Sequence, residues 1–137
     1  TDDQTENLRL LCERVLQPVR DHFNQVVSIS SGFRDPILSQ KIGSSIDSQH
    51  CKGEAADLEI FGVANNELAD WIKENLMFDQ LILEYHTPGE PNSGWVHVSY
   101  TKEINSNRKE YLMATKNATG KTEYKQILGL STDRYVK

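Results

Sequence analysis

The sequence predicts an α+β domain in which helices flank a largely antiparallel sheet. Apolar residues at helical spacing open the chain, a second helical segment lies near its middle, and short β-branched or alternating segments make up much of the rest. Strands that do not alternate regularly with helices are typical of α+β folds. With 137 residues the chain can bury a core of its own, so we expect one domain over residues 1–137, with a flexible tail after about residue 129.

Two helices follow from the apolar periodicity. The first is predicted over residues 5–24, with a disturbance at Pro18, which has no N–H to donate. Its apolar stripe consists of Leu8, Leu11, Val15 and Val19. The second follows Asn65 or Asn66 as its N-cap, and its apolar face consists of Leu68, Trp71, Ile72 and Leu76. A short helix at 36–41 is also expected, inside a polar loop that extends to residue 52.

Six segments are predicted to be strands. β-branched or alternating apolar residues mark 26–30, 56–60, 78–85 and 95–100. The segments 110–115 and 122–128 flank an Asn-Ala-Thr-Gly turn and are predicted to pair as a hairpin. The connection at 86–94 is rich in Pro, Gly, Asn and Ser and is therefore predicted to be a loop.

Charge and hydropathy exclude several classes of protein. The formal net charge is −5 and no dense Lys/Arg cluster occurs, which argues against nucleic acid as a partner. No segment approaches the roughly 18 apolar residues of a membrane span. The first ten residues are acidic and polar and are not a signal peptide, so export would need a removed signal or the route of a phage lysin. We expect a monomer.

The pattern of His50, Asp57 and His97 indicates a metal site. His50 and Asp57 are seven residues apart, with a glycine and small residues between them, so a tight reversal can direct both side chains to one centre. His97 alternates with two valines and faces away from them. Two imidazoles and a carboxylate suit zinc and leave one tetrahedral position open, as in catalytic sites. Taken singly, each residue has an ordinary structural explanation, and Cys51 should point away from His50.

Four segments, in this order, resemble the M15 family of zinc peptidases. They are SGFR at 31–34, SQHCKGEAAD at 48–57, FDQLILE at 78–84 and GWVHVSY at 94–100. The family includes D-alanyl-D-alanine carboxypeptidases, dipeptidases and phage endolysins, and it shares its fold with the hedgehog signalling domain. The resemblance covers a motif-bearing core of roughly residues 26–100 and leaves out the first helix and the last hairpin.

The resemblance assigns roles to particular residues. The implied zinc ligands are His50, Asp57 and His97. The residues expected to contact substrate are Arg34, Ser48, His86 and Trp95. Arg34 would bind the substrate carboxylate or stabilise the oxyanion, because a guanidinium stays charged and donates several hydrogen bonds in a fixed fork.

The general base is the point at which this sequence departs from the family. Many members have a glutamate three residues before the last histidine, and that position here is Gly94. We prefer Glu84, because its strand is expected to pair with the one bearing His97 and because burial there would raise its pKa. Glu90 is the alternative, in a loop that nothing in the sequence holds in place.

Together these expectations describe a zinc-dependent peptidase that hydrolyses the stem peptides of bacterial peptidoglycan. Glu84 would accept the proton of the attacking water, and Arg34 would stabilise the developing oxyanion. The enzyme would be either a D-Ala-D-Ala carboxypeptidase or an endolysin-like endopeptidase, acting in the bacterial periplasm or cell wall. The alternative is a catalytically inactive, zinc-containing module of the same fold that binds the cell wall or another protein.

Overall fold

The structure is a computed structural model that describes residues 2–32 and 49–127. Its α-helices are α1 (Asp2–Leu11), α2 (Gln17–Phe23) and α3 (Asn65–Asn75). Its strands are β1 (Val27–Ser31), β2 (Ala55–Ile60), β3 (Gln80–Glu84), β4 (Trp95–Ser99), β5 (Glu110–Lys116) and β6 (Thr122–Gln126). The short helix expected at 36–41, the residues Arg34 and Ser48, and the tail expected after residue 129 lie outside the described residues.

The helical segment predicted over residues 5–24 is confirmed, and its disturbance lies just before Pro18. Residues Cys12–Leu16 form a π-helical turn, in which the N–H of Gln17 reaches back to the carbonyl O of Cys12. Pro18 cannot donate to the carbonyl four residues before it, and the wider turn accommodates that missing bond before α2 continues. The buried stripe consists of Leu11, Val15 and Val19. Within the described residues, no helix has the length and apolar character required to cross a membrane.

All six strands form one sheet, in the order β1-β2-β4-β3-β5-β6. Every neighbouring pair is antiparallel except β3 and β5, which are parallel. The predicted hairpin is confirmed, with Lys116 opposite Thr122 at its turn. The structure therefore confirms an α+β fold with a largely antiparallel sheet.

The two faces of the sheet differ in what they contact. One face packs against the helices, and its core residues include Leu58, Ile60, Leu81, Leu83, Val96 and Val98. The other face, which we call the site face, carries Asp57, Ile82, Glu84, Trp95 and His97, because residues directly opposite in register share a face. Because one face of the sheet packs against helices and the other carries polar side chains, apolar and polar residues alternate regularly along β4.

Helix α3 begins differently from the prediction that Asn65 or Asn66 caps it. Ala64 occupies the N-cap position, and no side chain caps the helix. The buried amide of Asn65 instead donates to the carbonyl O atoms of Ser93 (3.0 Å) and Gly94 (3.2 Å). The cap prediction was wrong because a short amide can bond either its own backbone or a distant loop, and only the tertiary structure decides between them.

Candidate metal centre

Three side chains that can bind a metal meet on the site face. Asp57 on β2 and His97 on β4 are directly opposite in register, and His50 approaches them from the turn that precedes β2. One possible ligand atom from each residue lies within 4.8 Å of the other two. No other such group of His, Cys, Asp or Glu side chains occurs within residues 2–32 and 49–127.

The distances in this cluster fit a tetrahedral ion. Oδ1 of Asp57 lies 3.0 Å from Nδ1 of His97 and 3.5 Å from Nε2 of His50. Ligand atoms around tetrahedral zinc are about 3.3 Å apart. Nδ1 of His50 lies 2.9 Å from the carbonyl O of Gly32, and an N–H donated there leaves Nε2 as the ring nitrogen that faces the centre. The residues present therefore fit zinc.

Asp57 remains ionised in this setting. Burial alone would raise the pKa of Asp57, but hydrogen bonding and electrostatic interaction with His50 and His97 outweigh that effect and lower the pKa from 3.8 to about 2. Two imidazole nitrogens thus face one anionic oxygen, a donor set that suits zinc better than magnesium or calcium.

The turn that carries His50 depends on a glycine. Gly53 donates its N–H to the carbonyl O of His50 at 3.2 Å. Its φ is 76°, and a Cβ there would lie 2.7 Å from the carbonyl O of Gln4 in α1. Because only glycine meets both requirements, this residue makes the predicted reversal between His50 and Asp57 possible.

Helix α1 holds the same turn with two side chains. Nε2 of Gln4 donates to the carbonyl O of Cys51 at 3.1 Å, and Nδ2 of Asn7 donates to the carbonyl O of Lys52 at 2.8 Å. Cys51 is buried and does not belong to the metal-binding cluster, which agrees with its expected direction away from His50.

Glu84 lies on the site face beside the cluster. It is opposite Trp95, and Ile82, two residues before it, is opposite His97. Diagonal neighbours of this kind are about 7–8 Å apart, within reach of a long side chain. Oε2 of Glu84 accepts a hydrogen bond from Nε1 of Trp95 at 2.8 Å. Burial raises the pKa of Glu84, and the electrostatic interaction with His97 opposes this only in part.

Gly94 occupies the position where many family members have the catalytic glutamate. Its φ is 69°, and a Cβ there would overlap the carbonyl O of Glu84 and lie 2.8 Å from the backbone N of His86. No side chain fits at this position while β3 keeps its course. Any general base of this chain must therefore come from elsewhere in the fold.

Glu90 and His86 belong to the loop between β3 and β4. Glu90 is exposed, and its N–H donates to the carbonyl O of Thr87 at 3.0 Å. His86 is buried, with Nδ1 3.2 Å from the carbonyl O of Ser93. The structure gives the His86 ring a partner inside its own loop, and its contact with substrate stays a prediction.

Two tyrosines that the sequence did not single out lie near Glu84. The ring of Tyr85 is 5.4 Å from that of Trp95, and its hydroxyl is 2.6 Å from Oγ1 of Thr122. Ala114 on β5 lies opposite both Glu84 and Tyr124, so Tyr124 is on the site face two strands from Glu84, and burial and then the charge of Glu84 raise its pKa. Tyr85 turns on a left-handed φ of 57°, which no sequence pattern indicates.

Arg34 and Ser48 lie outside the described residues, so their roles, like the substrate contact of Trp95, stay predictions.

Comparison with known proteins gives one family. A family model described as Peptidase M15 matches residues 2–99, which include α1, the three residues of the cluster and Glu84. No curated protein matches the chain. The match covers most of the 137 residues and confirms the resemblance drawn from the four segments, so the chain belongs to the Peptidase M15 family.

Proposed function

We propose that this protein is a zinc-dependent enzyme that hydrolyses peptide bonds in the stem peptides of bacterial peptidoglycan. Membership of the family makes it a peptidase. The observation that supports a zinc enzyme is the convergence of His50, Asp57 and His97 within 4.8 Å. Three ligands of these types leave a fourth tetrahedral position for water or substrate.

The chain's own residues suit the proton transfers of hydrolysis. Zinc held by the three ligands would polarise the scissile carbonyl and lower the pKa of a bound water to about 7. Glu84 accepts the proton of the attacking water and later returns it to the leaving amine. Its raised pKa favours a group that must both accept and donate a proton near neutral pH. Trp95 holds one carboxylate oxygen, so the side chain is oriented before substrate arrives.

The substrate class rests on the resemblance of the four sequence segments to cell-wall carboxypeptidases and endolysins. In this proposal Arg34 binds the carboxylate of the substrate or stabilises the oxyanion, and Ser48, His86 and Trp95 contact the peptide. The scissile bond lies next to a D-amino acid. The enzyme acts in the bacterial periplasm or cell wall, as a carboxypeptidase or as an endolysin-like endopeptidase.

Mass spectrometry of digested peptidoglycan tests this proposal. Zinc-loaded protein should convert purified stem peptides into defined products, with release of single D-Ala from a carboxypeptidase and of larger fragments from an endopeptidase. His50→Ala provides a control that lacks a ligand, and Glu84→Gln one that lacks the base. A protein that binds zinc but leaves every stem peptide intact would be the inactive module instead.

A further inference from the structure

The turn that carries His50 is tied to the sheet by a side chain next to the ligand. Gln49 directly precedes His50, and its Nε2 donates to Oδ2 of Asp79 at 2.9 Å. The carbonyl O of Gln49 also accepts the N–H of Glu54 at 2.8 Å, but that contact stays within the turn. The bond to Asp79 connects the turn to residues at the start of β3, thirty positions later in the chain.

Asp79 is held rigidly enough to fix what it binds. Only 4% of its surface is exposed, and its carboxylate accepts from the backbone N–H (3.1 Å), Nε (2.9 Å) and Nη2 (3.0 Å) of Arg108. Its own N–H donates to the carbonyl O of Ser99 at 2.7 Å. Ser99 is two residues beyond His97 on β4, so Asp79 contacts both the strand of one ligand and the turn of another.

The side-chain contacts that hold the turn reach it at different residues, some after His50 and one before it. Those from α1 reach the carbonyl groups of Cys51 and Lys52, both after His50. Within residues 2–32 and 49–127, the side chain of Gln49 makes the contact outside the turn that holds the chain just before His50. Without it, the bond of the Glu54 N–H to the carbonyl O of Gln49 (2.8 Å) and the bond of the His50 ring to Gly32 would remain, but neither connects the turn to Asp79.

We propose that Asp79, acting through Gln49, is a positioning residue for the metal centre. It sets the place of His50 relative to the two ligands on the sheet and so lowers the cost of bringing all three to one ion. This inference rests on the zinc site of the proposed function. Groups that orient metal ligands from the outer shell typically contribute about 10–100-fold to metal affinity.

Two single variants that each remove one partner of Asp79 test the inference. Gln49→Ala removes the connection to His50, and Arg108→Ala removes the other partner of the same carboxylate. Zinc affinity is measured by competition with a chromophoric chelator, and the thermal unfolding midpoint is measured on metal-free protein. We expect Gln49→Ala to weaken zinc binding about tenfold with little change in the midpoint. Arg108→Ala keeps the backbone N–H that donates to Oδ1 of Asp79, so it should lower the midpoint but leave the zinc affinity within about twofold of the wild type.

The possible outcomes separate the inference from the proposed function. If the wild type binds zinc and Gln49→Ala binds it equally well, Asp79 has no positioning role. Equal weakening by both variants would mean general loosening of the fold and would also overturn the inference. A wild-type protein that binds no zinc at all would remove the metal site itself, and with it both proposals.

Discussion

The carbonyl group of Glu84 lies where the side chain of any residue at position 94 would begin. Glycine there allows the end of β3 and the start of β4 to approach closely, and this approach places Glu84 beside Trp95. A glutamate at position 94 is incompatible with that path. The position of Glu84, the proposed proton acceptor, and the glycine at position 94 therefore both follow from one backbone arrangement.

The proposed general base, Glu84, can be tested by a single substitution. Glu84→Gln should retain zinc and fold, because glutamine can still accept the hydrogen bond of Trp95, while kcat falls by about a hundredfold or more. Zinc content and steady-state kinetics on a stem peptide measure the two effects. The matched control is Glu90→Gln, an exposed loop residue whose loss should leave kcat unchanged. Full activity in Glu84→Gln, with loss in Glu90→Gln, would reverse the assignment.

Gly94→Ala should destabilise the protein by about 2 kcal/mol or more. The new Cβ would overlap the Glu84 carbonyl, and the alanine would have to adopt a left-handed φ. Urea denaturation of metal-free protein measures the change. Gly89→Ala is the control, because Gly89 has a φ of 87° but nothing within 4 Å of a new Cβ. It incurs only the conformational cost of about 1 kcal/mol. Equal losses in both variants would mean that the overlap at Gly94 is relieved without cost.

At the scale of helices and strands, local periodicity was sufficient for most elements. The first helix, the alternation in β4 and the last hairpin each depend on residues close in sequence, and all three predictions agree with the structure. The convergence of His50, Asp57 and His97 could be predicted because their residue types, their spacing and the four segments that resemble the family all indicated it. The parallel pairing of β3 with β5 could not be predicted from the sequence, because it depends on the path of the chain between Ser99 and Glu110. That path brings Arg108 to Asp79, and neither was recognised as a site residue.

Asp79 connects several elements, and its effect on stability should depend on pH. Burial raises the pKa of Asp79, but the hydrogen bonds of Arg108 lower it more, so the folded-state pKa is below 3.8. The stabilisation is therefore complete above about pH 4 and is lost as the pH falls through the folded-state value. Asp79→Asn should destabilise the protein by about 1–3 kcal/mol at pH 7, and by less at pH 3.

Urea denaturation at both pH values measures this difference. Asp21→Asn is a suitable control, because Asp21 is exposed and its carboxylate accepts a surface hydrogen bond from Gln17. It should have a small effect at either pH. A cost of Asp79→Asn that is the same at pH 7 and pH 3 would show that the ionised carboxylate is not what stabilises the fold.

At the scale of the whole molecule, zinc should add stability because its ligands come from a turn and two different strands. Binding to the folded chain alone stabilises it by about 2.7 kcal/mol when free zinc is a hundredfold above the dissociation constant. The unfolding temperature of the wild type should rise with zinc and fall again with a chelator. Differential scanning calorimetry measures this temperature. In His97→Ala the unfolding temperature should not rise with zinc. A similar rise in that variant would place the stabilising ion elsewhere.

The separation of the ligands along the chain has a consequence during synthesis. His50 and Asp57 leave the ribosome almost together, whereas His97 follows Asp57 by forty residues. β4 then has to take the place between β2 and β3, although β3 is made before it. Non-local pairing of this kind forms later than helices do. In the proposed zinc enzyme, a nascent chain would therefore present two of the three ligands for some time, and the ion would be captured when β4 takes its place instead of initiating the sheet.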